Sequence, residues 1–298
     1  MDPMNITQAL NQQEWLGPVA EGLQTAVQKV YAPSGEAGQA VADALHGVWL
    51  GHPLHPVLTD IPLGAWTTAA ALDLMQSLGR RDDLAPGADA AVGVGLLGAL
   101  GAAATGLTDW YFLKNKNQQR TGAAHALLNV TATALYGASW LLRKRGARSA
   151  GRTAGWLGYA VVAVGAYLGG TLVYEERVGV DHAPRQGLPP DFVPVLDEGE
   201  LAENQPKKVE ANGVPVVLVR QGAQIFALAE ACSHLGGPLA EGRVESGCIV
   251  CPWHGSRFGL ADGRVMAGPA TFPQPRFDVR VREGQIEVRA PAVPQNKG

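Results

Sequence analysis

Cysteine is scarce in this chain of 298 residues: Cys232, Cys248 and Cys251 are its only three, and they fall within one short stretch. A disulfide framework spread over a secreted fold is thereby excluded, and what is left is a local site. Charge is sparse as well, at 17 % of residues, with 24 Lys and Arg scattered among 27 Asp and Glu and a net charge of -3. That excludes the electrostatic footprint of a nucleic-acid binder. The first 30 residues lack a basic start followed by an apolar run, so no cleaved secretory signal is expected. Residues 1–50 read instead as an amphipathic helical segment with Leu10, Trp15, Leu23 and Val27 among its apolar positions.

Long apolar runs, by contrast, fill residues 51–175. Crossing about 30 Å of hydrocarbon takes about 20 largely apolar residues, and four segments qualify, at 61–78, 88–108, 122–142 and 154–174. Small residues dominate them, as in GVGLLGALGAAATG, which suits close helix packing in lipid. Soluble helices of this length would carry a polar face, and these show almost none. An all-α transmembrane four-helix bundle with both tails on one side is therefore expected. The turns opposite the tails carry Arg80, Arg81, Arg143, Lys144, Arg145, Arg148 and Arg152, and the turn on the tails' side carries Lys114, Lys116 and Arg120. The positive-inside rule then puts the tails outside the cytoplasm. Against it, a C-terminal domain that folds in the cytoplasm would have to be exported folded, and no twin-arginine signal is visible.

Polar residues gather at the tails' end of these spans. The stretch LHGVWLGHPLHPVLTDIPLGAW brings His46, His52, His55 and Asp60 into the first span, the second ends at Asp109, and the third begins with His125. Ionisable groups in a span are costly and usually face a partner or a cavity. The convergence suggests a haem, quinone or proton site built from His52 or His55 with His125, since bundles build cofactor sites from facing helices. The plainer alternative is that these groups tie helix ends together at the interface. With its HPLHP motif at His52–Pro56, Thr-Asp-Trp at Thr108–Trp110 and the glycine pair of YLGGTLVYEERVGV, this region resembles a bacterial membrane family of unknown function over residues 45–182. That resemblance implies a multi-pass protein of the bacterial cytoplasmic membrane. Where the family often has a histidine after the glycine pair, this chain has Thr171, which removes a haem ligand from the fourth span.

A Pro/Gly-rich linker at 176–191 leads into strand chemistry at 192–292, with β-branched runs punctuated by Asn212-Gly213, Gln221-Gly222, Asp262-Gly263 and Glu283-Gly284. The second domain is expected to be all-β. Two loops in it, CSHLGG from Cys232 and CPWHGSRF from Cys251, each offer one thiolate and one imidazole. By ligand count, Cys232, His234, Cys251 and His254 suit a tetrahedral zinc or a 2Fe-2S cluster whose irons take two cysteines and two histidines. Cys248 reads as filler on the strand entering the second loop.

CSHLGGPLAEGRV together with CPWHGSRFGLADGRVMAGPA resembles the Rieske iron-sulfur family across residues 190–290. The resemblance implies a Rieske-type 2Fe-2S cluster, with Cys232 and Cys251 on the inner iron and His234 and His254 on an outer, solvent-exposed one. It also implies close backbone approach at Gly236, Gly237 and Gly255, a hydrogen bond from Ser256 to cluster sulfur, and a covering loop at Gly268-Pro269-Ala270. Respiratory Rieske proteins add a disulfide between the loops and a tyrosine; Gly237, Trp253 and Phe258 stand at those positions here. A ferredoxin-like, lower-potential centre is implied.

The function expected is that of a membrane-anchored electron-transfer protein working between redox partner proteins, alone, as a homo-oligomer or in a membrane complex. A subunit of a membrane oxidoreductase with haem or quinone in its bundle, or a membrane redox sensor, is the alternative. With eight residues after Ala290, the mononuclear iron domain of a terminal oxygenase is not expected.

Overall fold

The computed structural model describes residues 9–10, 12–31, 35–79 and 81–291; Arg80, and residue 292 at the expected end of the second domain, lie outside them. The chain forms two compact units: one comprises the chain up to Gly38 with Pro53–Val178, the other Gln39–His52 with the chain from Gly179 onward.

The first unit is helical. α1 (Leu16–Tyr31) precedes α2 (Gly35–His46), whose second half belongs to the other unit, and then come four long helices: α3 (Leu54–Gly79), α4 (Ala85–Trp110), α5 (Lys116–Lys144) and α6 (Arg148–Tyr174). α3 packs on α4 and α5 on α6. Small residues admit large ones: the Trp66 indole lies against Gly95, and a Cβ at Gly158 would stand 3.0 Å from the Tyr136 ring. Trp66 and Tyr136 stack at 4.0 Å in a core completed by Ala69, Val92, Ala132 and Val162.

By length and apolarity α4 and α6 qualify as membrane spans, whereas the runs at 61–78 and 122–142 fold into α3 and α5, which are long enough but more polar. The polar groups of α3 and α5 turn inward. Arg143 is 5 % exposed and forks onto Asp73 of α3 while also reaching Asp89 of α4 at 3.3 Å, and Arg148 holds Asp89 at 3.0 Å. Two of the basic residues counted above as a turn charge are thus bound into an ion cluster within the bundle.

The second unit is all-β, with an antiparallel sheet ordered β1-β10-β9-β4-β3-β2 and a four-stranded sheet β5-β6-β7-β8. Their strands are β1 (Val193–Asp197), β2 (Lys207–Ala211), β3 (Val214–Gln221), β4 (Gln224–Ala229), β5 (Arg243–Glu245), β6 (Cys248–Val250), β7 (Arg257–Gly259), β8 (Val265–Ala267), β9 (Arg276–Arg282) and β10 (Gln285–Arg289). The hairpins β2–β3 and β9–β10 turn at Asn212-Gly213 and Glu283-Gly284, where both residues have positive φ, the geometry that Asn-Gly and X-Gly pairs favour. Val217, Val219, Leu228, Leu239, Ile249, Phe258 and Leu260 form the core between the sheets, and Cys232 and Cys251 sit at its margin.

Candidate metal centre

The two Cys/His loops are closed by the same pair of backbone bonds. In the first, Cys232 N–H donates to Gly237 O at 2.9 Å and Gly236 N–H to Cys232 O at 2.8 Å; in the second, Cys251 N–H donates to Ser256 O at 2.9 Å and Gly255 N–H to Cys251 O at 3.1 Å. Each loop is a compact fold-back that presents its cysteine inward, at 1 % and 3 % exposure. The histidine stands two residues after the cysteine in one loop and three after it in the other. The His234 and His254 rings meet edge to face, 5.1 Å apart.

Electrostatics prepare these groups for metal. Burial, followed by the neighbouring His254, His46 and His182, holds the His234 imidazole well below its usual pKa, which disfavours its charged form. A hydrogen bond with Cys251, together with burial, pushes the Cys232 thiol well above its usual pKa. Metal must therefore displace protons from the thiols on binding. The donors stand as a thiol pair and an imidazole pair, and among the described residues no three His, Cys, Asp or Glu side chains converge on a single ion position.

The surrounding contacts keep the loops in register. A Cβ at Gly237 would come within 2.9 Å of Cys251 Sγ and 3.1 Å of the Trp253 ring, so the indole covers the position where a respiratory Rieske protein would place its disulfide. None of the three cysteines forms a disulfide, and Cys248 is buried on β6, where burial raises its pKa. Ser256 is fully buried, and its hydroxyl oxygen accepts the Ala270 N–H at 3.1 Å, tying the second loop to the cis Gly268-Pro269 segment. Gly255 itself is exposed, with φ +78°.

Sequence reading missed three parts of this site. Gln274, 2 % exposed, accepts the Ser233 N–H at 3.0 Å and donates to Ala229 O and Ala231 O at 2.6 Å, stapling the first loop to the end of β4. Its only sequence signal was its position between Pro273 and Pro275. Asp43 accepts the Gly268 N–H at 2.8 Å from 225 positions away, and a Cβ at Gly268 would meet Val48 at 3.0 Å and His46 at 3.6 Å. His182 donates its N–H to Ser233 O at 3.0 Å. His234 and His254 are both half-buried, with His46 and His182 near His234.

The helical-unit candidates separate. His55 and His125 face each other, ring centroids 6.4 Å apart. His52 belongs to the second unit and packs edge-on against Phe272 at 6.2 Å, and Asp60 is exposed, so neither joins that pair.

Two family models match the chain: one described as "Predicted membrane protein (DUF2231)" over residues 51–182, the other as "Rieske [2Fe-2S] domain" over residues 191–278. The chain is 35 % identical over 89 residues to the "Anthranilate 1,2-dioxygenase ferredoxin subunit" of Burkholderia cepacia, which covers 30 % of this chain and 82 % of that one. It is 31 % identical over 118 residues to "Apoptosis-inducing factor 3" of Homo sapiens, covering 39 % of this chain and 19 % of that protein. Among solved structures, the "Ferredoxin of carbazole 1,9a-dioxygenase from Nocardioides aromaticivorans IC177" is similar at 30 % identity over 34 % of this chain and 98 % of that one, with a TM-score of 0.33.

Proposed function

Since the chain belongs to the Rieske [2Fe-2S] family and carries a DUF2231 predicted membrane domain ahead of that fold, we propose that it is an electron carrier anchored in the bacterial cytoplasmic membrane. Cys232 and Cys251 hold one iron of its cluster, and His234 and His254 the other. The observation that carries this reading is the meeting of two identically closed loops, each contributing one buried thiol and one imidazole, so that the two thiols pair with each other and the two imidazole rings meet edge to face. Paired donors suit a binuclear centre, whereas a single zinc needs all four around one point. When bound, such a cluster takes up and releases one electron at a time.

The protein's own groups set where that exchange happens and at what potential. Ser256 spends its oxygen on Ala270 and keeps its O–H to donate toward cluster sulfur, which favours the reduced state. Phe258 and the Gly237/Trp253 pair supply neither the hydroxyl nor the disulfide of the respiratory proteins. The potential accordingly falls in the lower part of the roughly -150 to +300 mV Rieske range. Similarity to a dioxygenase ferredoxin subunit supports exchange with protein redox partners rather than with quinol.

The membrane reading rests on α4 and α6 as spans, with α3 and α5 crossing beside them and turning Asp73, Gln76, Ser139 and Arg143 inward. Four crossings would leave both tails on one side, and the basic turns favour the outside of the cytoplasm, with Arg143 and Arg148 discounted because Asp73 and Asp89 hold them. Membrane-bound protein that resists carbonate extraction and holds about two iron and two sulfide per chain supports the proposal; zinc at the site, or release into the soluble fraction, overturns it. Protease access to the C-terminal tail in spheroplasts assigns the side.

A further inference from the structure

Two of the seven histidines lie in the helical unit, and the iron-sulfur centre uses neither. His55, in the first turn of α3, directs Nδ1 at the Ala102 carbonyl of α4 at 2.9 Å. His125 of α5 directs Nδ1 at the Gly165 carbonyl of α6 at 2.8 Å. A carbonyl only accepts, so each Nδ1 carries the hydrogen and each Nε2 keeps its lone pair. Histidines that ligate metal are held in this way, the second nitrogen tied to backbone so that tautomer and ring orientation are fixed beforehand.

The spacing fits one metal between the rings. Bonds of about 2.0–2.1 Å from each nitrogen, with about 1.1 Å more from nitrogen to ring centre, place the two centroids about 6.3 Å apart. The observed separation is 6.4 Å, with the rings nearly perpendicular at 84°. Glycines make the seat on both sides. A Cβ at Gly106 would lie 2.7 Å from the His55 ring, and one at Gly169 would lie 3.2 Å from the His125 ring, so each imidazole rests against the neighbouring helix where a side chain would push it off. Asn129 has its Nδ2 3.2 Å from His125 Nε2 while donating to the His125 carbonyl at 2.8 Å. A metal displaces only the longer contact.

Two axial imidazoles leave the remaining positions of a six-coordinate metal to other donors. Among the described residues no further His, Cys, Asp or Glu joins them in a ligand cluster, and a porphyrin supplies those four nitrogens itself. We propose that the helical unit binds one b-type haem with His55 and His125 as its axial ligands, a redox centre built on residues separate from those of the iron-sulfur site.

The full chain, produced with iron and haem precursor and purified in detergent, is examined by pyridine haemochrome and by visible spectra with and without dithionite. About one haem per chain is expected, with the Soret and sharp α bands of a low-spin six-coordinate haem and no change on adding carbon monoxide to the reduced protein. His55→Ala or His125→Ala lowers retained haem at least about tenfold or opens the iron to carbon monoxide, whereas His52→Ala changes neither. His55→Met keeps haem with a shifted spectrum. Wild-type protein that holds its iron-sulfur cluster but no haem overturns the proposal, as does full haem retention in the double alanine variant or a metal held without porphyrin. If the alanine variants fail to fold, the wild-type haemochrome and carbon monoxide results decide. Haem without an iron-sulfur signal sinks the electron-carrier reading and leaves this site standing, so the two failures are distinguishable.

Discussion

At Gly237 there is room for a hydrogen and nothing larger, because a methyl group would press on Cys251 Sγ at 2.9 Å and on the Trp253 ring at 3.1 Å. Gly237→Ala therefore lowers cluster occupancy several-fold in iron and sulfide analysis, and pairing it with Trp253→Ala recovers only the part due to the indole, since the sulfur stays in place. Phe258 is the complementary case: it is fully buried among the residues around Cys232 and Cys251, with no hydroxyl to offer. Phe258→Tyr adds a donor, and a hydrogen bond of about 1 kcal/mol to the reduced state raises a one-electron potential by about 40 mV. Voltammetry reads this directly; an unchanged or lower potential means the hydroxyl does not reach the sulfurs. Both positions were legible in the sequence as departures from the respiratory pattern. That Trp253 covers Gly237 was not, because a 47 % exposed indole after a proline has no periodicity to announce what it packs on.

Whole segments hold the site through residues that motif spacing does not mark. Gln274 bridges the Ser233 amide to the carbonyls of Ala229 and Ala231, so Gln274→Ala leaves three buried backbone groups without their partner and costs at least about 2 kcal/mol. Chemical denaturation of the intact protein should show that loss, and a midpoint equal to wild type would mean water replaces the amide. In the helical unit Arg143→Ala strands the Asp73 carboxylate, 3 % exposed, and costs about 3–5 kcal/mol. Arg143→Lys restores the charge but not the fork and recovers only part of this in thermal unfolding in detergent. In the sequence Arg143 counts simply as a charge at the end of a span. Its partners are 70 and 54 positions away, and local pattern carries no information on contacts at that range.

For the molecule as a whole, composition separated a helical half from a β half, and the turn pairs Asn212-Gly213 and Glu283-Gly284 sit where the hairpins turn. The domain edge at residue 50 is drawn differently in space: Gln39–His52 packs with the second unit, where Asp43 clamps Gly268 and His46 flanks His234. A truncation that begins after residue 178 keeps all four candidate cluster ligands and loses that wall, so its cluster should decay faster in air than that of the full chain. Equal lifetimes would show that Gln39–His52 is dispensable. The electron-carrier function depends on what the two loops hold. Electron paramagnetic resonance of the full-length protein after dithionite reduction is the most direct measurement: the account predicts the rhombic signal of a 2Fe-2S cluster with two histidine ligands on one iron, lost in Cys232→Ser and altered in His254→Cys. A silent spectrum from protein containing zinc, or the signal of an all-cysteine cluster, would contradict it.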